Sequence, residues 1–254
     1  SLLPTPANPR LSLPRQRRAI VLLVFAAVIF RSEVALLLIT TVLHQLILPT
    51  LSLERVFFPF TVAFIMSLAI SIPIDTYFWQ RFPFIWPELS AFIYNVFHGN
   101  ASNWGISPWH WYFTSALPRL LLNPLSYMLL IPYAARHPAL KSAAQHLIIP
   151  PLLFIAIYSL QPHKETRFIF YAVPPLTAAA ALAANRLWIN HCKSIPSAIL
   201  SIALLASVAA TFVASTGMLA ISALNYPGGE AISYLRSAIL PNSSHSTGGS
   251  KVVV

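Results

Sequence analysis

Charge is what this sequence most lacks. Only 9% of its 254 residues are Asp, Glu, Lys or Arg, against about 25% in a typical soluble domain. The carboxylates are Glu33, Glu54, Asp75, Glu88, Glu165 and Glu230, so acid-base chemistry has few candidates. There is one cysteine, Cys192, which excludes an internal disulfide and a cysteine-based metal cluster. What fills the space is apolar: 57% hydrophobic residues and a mean hydropathy of +0.69 place the chain among integral membrane proteins. A net charge of +10 would suggest nucleic acid in a soluble protein. Here the basic residues sit in short clusters between apolar runs, as loop charges do, and nucleic acid is not an expected partner.

A membrane span needs about 20 mostly apolar residues. Residues 56–74 qualify, as do 195–224, which carry no charge. Residues 120–135, lengthened by the aromatic stretch before them, and 147–162 are short or proline-broken candidates, and 168–184 is a further span. In 19–49, Arg31 and Glu33 separate two apolar halves, which predicts a re-entrant or broken hairpin. The fold class expected is all-α, a polytopic transmembrane helix bundle with polar loops. Several of the 22 prolines lie inside apolar runs, and each frees a backbone carbonyl that neighbouring protein or a water-filled cavity must satisfy.

Basic clusters at Arg15, Arg17 and Arg18, at Arg136 and Lys141, and at Arg186 and Lys193 assign those loops to the cytosolic face. The domain organisation expected is a cytosolic loop over 1–18, a transmembrane region over 19–224 and the start of a lumenal segment over 225–254. Loops 75–110 and 163–167 then share the lumenal side. The glycosylation patterns Asn100-Ala101-Ser102 and Asn242-Ser243-Ser244 fall on that same side. The first residue is Ser and both ends are polar stretches beside apolar ones, which reads as a piece of a longer chain.

Loop 75–110 and its flank hold five of the six tryptophans, at 79, 86, 104, 109 and 111. They fit an interfacial aromatic belt, and equally a platform for sugar rings with Asp75, Trp104 and His110 as binding residues. Residues 163–168, HKETRF, place four ionisable groups between two apolar segments. They fit an interfacial loop in which Glu165 pairs with its neighbours, and equally a cationic cradle for phosphate. His98 and His110 are far from each other and from carboxylates, so no metal site is expected.

HKETRF at 163–168, SNWGISPWHWYFTSALPR at 102–119, DTYFW at 75–79 and NYPGG at 225–229 together resemble the dolichyl-phosphate-mannose-dependent mannosyltransferases of the endoplasmic reticulum, which have the GT-C fold. SNWGISP and NYPGG most resemble the α-1,6-mannosyltransferases that extend the lipid-linked oligosaccharide of asparagine-linked glycosylation. The resemblance implies an inverting glycosyltransferase, multi-pass in the endoplasmic reticulum membrane with its site facing the lumen. It implies dolichyl-phosphate mannose and a dolichol-linked oligosaccharide as partners, together with membrane lipid, and no cofactor or metal. His163, Lys164 and Arg167 are then expected on the donor phosphate, with Glu165 orienting them. The family's catalytic carboxylates belong to an upstream loop, so no catalytic residue is assigned in this chain, which by itself is expected to be incomplete. Two other readings are a glycosylphosphatidylinositol-precursor mannosyltransferase and a secondary transporter, the latter disfavoured by the lack of an internal repeat.

Overall fold

The computed structural model describes residues 9–48, 51–225 and 227–243, and among them there are helices and turns but no strand. The chain divides at Leu204 into two compact units.

The first unit opens with α1 (Pro9–Phe25), which runs through a π-helical turn, Ala26–Phe30, to a break at Arg31 and Ser32 before α2 (Glu33–Ile47). Arg31 is extended, with φ −154°, so the charged pair of the sequence marks the bend of a hairpin as expected. Helix α1 begins inside the stretch read as a loop over 1–18. Gln16 and Ile20 turn inward there while Arg15, Arg17 and Arg18 stay exposed, an amphipathic spacing that Pro14 near the helix start does not interrupt.

Helix α3 (Leu53–Trp79) exceeds the expected span at both ends. Its buried face is Pro59, Ala63, Ser67 and Ser71, four small residues at intervals of four, and this stripe lets the backbone approach its neighbour α1 closely. Phe57, Phe58, Ile65 and Met66 lie exposed on the other faces, as suits a helix whose solvent is lipid. A core of Ile20, Val24, Val28, Leu38, Val56 and Ala63 joins these three helices.

After α3 the chain forms α4 (Pro87–Phe92), three short helical turns, and then α5 (Leu117–Leu121). The expected span 120–135 is not one helix. Leu122 adopts a φ of +56°, Asn123 accepts from the N–H groups of Leu125 and Ser126 through its Oδ1, and Pro124 lacks a donor, so the helix stops and restarts. The chain continues through the π-helical turn Ser126–Leu130 into α6 (Ile131–Arg136).

Helices α7 (Pro138–Tyr158) and α8 (Val173–Ile189) follow, joined by a loop and the 3-10 turn Thr166–Ala172. They pack on each other and on α6, and α7 packs also on α2, around a second core that includes Tyr112, Phe154, Ile155, Ile169 and Leu176. Pro150 and Pro151 sit fully buried inside α7, where surrounding protein covers the backbone they disturb. Helix α9 (Ile195–Leu224) coincides with the charge-free run.

The second unit holds the later part of α9 and helix α10 (Pro227–Ser243). Of the NYPGG segment, Tyr226 lies outside the described residues, and so does Ser244 of the Asn242 sequon, whose Asn falls in the last turn of α10. Four stretches among the described residues are long and apolar enough to cross a membrane, beginning at Leu53, Pro138, Thr166 and Ile195.

Candidate functional site

Helix α7 ends at Tyr158, and residues 159–165 turn the chain back toward α8. Glu165 sits between two cations in this turn. His163 Nε2 donates to its Oε1 at 3.0 Å, Arg167 Nη2 donates to the same oxygen at 3.0 Å, and Arg167 Nε pairs with Oε2. The hydrogen bond from His163, then that from Arg167, holds the Glu165 carboxyl below the usual carboxylate range against the opposing effect of burial. Glu165 thus pairs with both His163 and Arg167.

Lys164 behaves differently from the other members of the motif. Its side chain turns inward and is 7% exposed, and Nζ donates to the carbonyls of Gln161 at 2.6 Å and Ser107 at 3.1 Å. The Ser107 N–H in turn donates to the Pro162 carbonyl at 3.0 Å. Two hydrogen bonds, Lys164 to Ser107 and Ser107 to Pro162, therefore fasten this turn to the aromatic loop, and the two polar loops meet at one end of the bundle. Desolvation pushes the Lys164 ammonium below its ordinary pKa.

Phe168 is the hub beside this turn. Its ring lies 5.7 Å from Tyr158 and 6.0 Å from His163 between centroids. The Arg167 guanidinium stands 5.5 Å from its centroid and that of Arg31, from the distant α1–α2 break, 5.9 Å. Arg31 also reaches the Tyr171 hydroxyl, and its Nε lies 3.5 Å from Glu33 Oε2.

The same break is tied to the aromatic loop. The Ser32 N–H donates to Glu88 Oε2 at 2.7 Å, and Trp86 Nε1 donates to the Val28 carbonyl at 3.0 Å. Both bonds satisfy backbone groups that the π-turn and the start of α2 leave without intrahelical partners. Beneath them an apolar cavity of about 580 Å³ runs between α1, α2 and α3, with Ser32 and Glu88 at its polar end and Leu38, Val42, Phe57 and Phe60 along its length.

The remaining sequence candidates stand apart from this cluster. Asp75 accepts from Ser71 Oγ within α3, and no ion pair with Arg81 occurs among the described residues. Trp104 is 68% exposed. His110 is exposed as well, with Nδ1 3.2 Å from Thr114 Oγ1. Both lie on the loop that Ser107 anchors. Asn100 opens the 3-10 turn Asn100–Trp104, partly exposed. The residue that sequence reasoning undervalues is Arg31, which with Glu33 reads first as an intramembrane salt bridge that stabilises packing and second as facing the lipid-phosphate path.

The hydrogen bonds of Glu165 carry a pH prediction. A carboxyl with a depressed folded pKa contributes stability that is complete above the unfolded value and lost as pH falls through the folded one. The difference in melting temperature between the wild-type protein and Glu165→Gln is expected to be constant above about pH 6 and to shrink steadily below about pH 4. A difference independent of pH, measured in detergent, would show that Glu165 does not carry its charge into these bonds.

Residues 7–243 match the Alg9-like mannosyltransferase family. Among similar proteins, the Dol-P-Man:Man(7)GlcNAc(2)-PP-Dol alpha-1,6-mannosyltransferase of Drosophila melanogaster is 38% identical over 82% of this chain and 29% of its own length. The one from Saccharomyces cerevisiae is 36% identical over 90% of this chain and 41% of its own. GPI alpha-1,2-mannosyltransferase 3 of Danio rerio is 34% identical over 43% of this chain and 19% of its own. No solved structure matches. The chain spans less than half the length of these relatives, while nearly all of the chain is matched by the family. With its apolar helices and a charged cluster gathered at one end of the bundle, this multi-pass membrane chain belongs to the Alg9-like mannosyltransferase family.

Proposed function

We propose that the protein containing this chain transfers mannose from dolichyl-phosphate mannose to a dolichol-linked oligosaccharide, forming an α-1,6 linkage on a seven-mannose acceptor in the lumen of the endoplasmic reticulum. The observation that carries this reading is the cluster His163, Glu165 and Arg167, linked through Phe168 and Arg31 to Ser32 in the lining of an apolar cavity. Cleaving a sugar from a lipid phosphate leaves negative charge on the departing oxygen, and fixed cations beside it lower the barrier. Arg167 and His163, both held by Glu165, suit that task. A long isoprenoid chain needs an apolar berth next to that charge, and the cavity between α1, α2 and α3 has that character.

The exposed rings of Trp104 and Trp109, with His110, suit the acceptor's sugar faces. Asp75, at the end of α3, suits a sugar hydroxyl. The base that takes the acceptor proton is not assigned to any residue of this chain. Acceptor choice rests on the relatives: the α-1,6-mannosyltransferases align over more than four-fifths of the chain, the glycosylphosphatidylinositol enzymes over less than half. Nothing in the family match favours transport.

The test is transfer of labelled mannose from dolichyl-phosphate mannose to the seven-mannose lipid-linked acceptor by the full-length protein in microsomes. An eight-mannose product is expected. Transfer to a glycosylphosphatidylinositol precursor instead, or no transfer, would overturn the reading.

A further inference from the structure

We infer that Arg31 is the second guanidinium on the donor phosphate, taking the place that the HKETRF motif alone would give to Lys164. The inference rests on the proposed function and names the atoms that grip the isoprenyl phosphate. Lys164 is engaged elsewhere: 7% exposed, its ammonium is held by two carbonyls. Arg31 and Arg167, in contrast, share two features, although Arg167 hydrogen-bonds its carboxylate and Arg31 makes only a 3.5 Å ion pair with Glu33, whose Oε2 has no hydrogen-bond partner. Each guanidinium stands beside Phe168, and each is paired with a carboxylate more buried than itself. The Glu33 side chain is 11% exposed against 39% for Arg31, and Glu165 is 34% exposed against 66% for Arg167. A carboxylate on the inner side fixes the cation and leaves its outer donors turned toward whatever approaches.

A separate observation gives the ligand its class. Ser32, the neighbour of Arg31 in sequence, lines the polar end of the 580 Å³ apolar cavity. An isoprenoid chain lying in that cavity brings its terminal phosphate to the α1–α2 break, where Arg31 is the nearest cation in sequence. The π-helical turn Ala26–Phe30 and the extended backbone of Arg31 carry the side chain out of the helical path at this point. Tyr171 and Phe168, from the turn after the HKETRF motif, receive it. Arg31 thereby links the lipid cavity to the charged turn. A phosphate bridging both guanidiniums would be bound through planar forks, which an ammonium cannot reproduce.

The experiment uses the full-length enzyme in microsomes, comparing wild type with Arg31→Gln and Arg31→Lys. For Arg31→Gln, the KM for dolichyl-phosphate mannose is expected to rise about tenfold or more, while the KM for the oligosaccharide acceptor stays within about twofold. Inhibition by dolichyl phosphate, the product that keeps the same phosphate, should weaken in parallel. Arg31→Lys retains the charge without the fork and should fall between the two. If Arg31→Gln does not accumulate, the Lys variant decides alone: its donor KM must rise by about threefold or more with acceptor KM unchanged. Donor KM unchanged in the accumulating variant, or donor and acceptor KM rising together, would overturn the assignment. Failure of the wild-type enzyme to transfer mannose at all would instead overturn the function on which it rests.

Discussion

Replacing Arg167 by alanine in the full-length enzyme is expected to lower kcat/KM for dolichyl-phosphate mannose by roughly thirty- to a hundredfold, the equivalent of about 2 to 3 kcal/mol in transition-state stabilisation. Two effects add. The substitution removes a guanidinium that a departing phosphate would meet, and it leaves Glu165 with His163 as its one remaining side-chain partner. The Glu165 carboxylate then faces the phosphate with His163 alone to offset its charge, so attraction is weakened and repulsion added. Protein stability should change little, because an exposed ion pair contributes about 0 to 1 kcal/mol to folding and Arg167 is 66% exposed. The measurement is initial-rate mannose transfer in microsomes, normalised to protein level. Adding Glu165→Gln to Arg167→Ala removes the unbalanced charge and should recover part of the loss, by about threefold to tenfold. An Arg167→Ala enzyme with wild-type kcat/KM would remove the HKETRF turn from the donor site.

Much of this arrangement is legible in the sequence, and what is not has identifiable causes. The charge-free run 195–224 is α9 to the residue, because nothing within it competes with a helix. The resemblance carried by the HKETRF and SNWGISP segments agrees with the family match over residues 7–243. Asn123 defeated the reading of 120–135 as a single span: its side chain caps a new helix, a local competition that hydropathy does not register. Arg31 was undervalued for the opposite reason. Its partners Phe168 and Tyr171 lie more than a hundred residues away, and only the packed bundle brings them together. The pairing of Lys164 with Ser107 was hidden in the same way, since a backbone carbonyl leaves no mark in sequence.

Lys164 yields the second large effect, with a signature different from that of Arg167. Substituting alanine removes the donor shared by the Gln161 and Ser107 carbonyls and keeps one bond, from the Ser107 N–H to Pro162, between the loops. A fully buried unsatisfied carbonyl costs about 1 to 3 kcal/mol; these two are half-buried and cost less, yet enough that both loops should shift to reach other donors. Turnover is expected to fall tenfold or more. Because the displaced loop carries Trp104 and His110, the KM values for donor and acceptor should rise together, whereas loss of a phosphate contact would raise the donor's alone. The pH dependence supplies an independent check. Burial lowers the Lys164 pKa, so above the folded value the unfolded chain binds the extra proton, and stability rises with pH up to the unfolded value of about 10.4. That rise should vanish in Lys164→Met, which keeps the length of the side chain and removes the ionising group. A Lys164→Ala enzyme whose donor KM alone increases would place the ammonium on the phosphate after all, and the loops would then be held together by the Ser107–Pro162 bond.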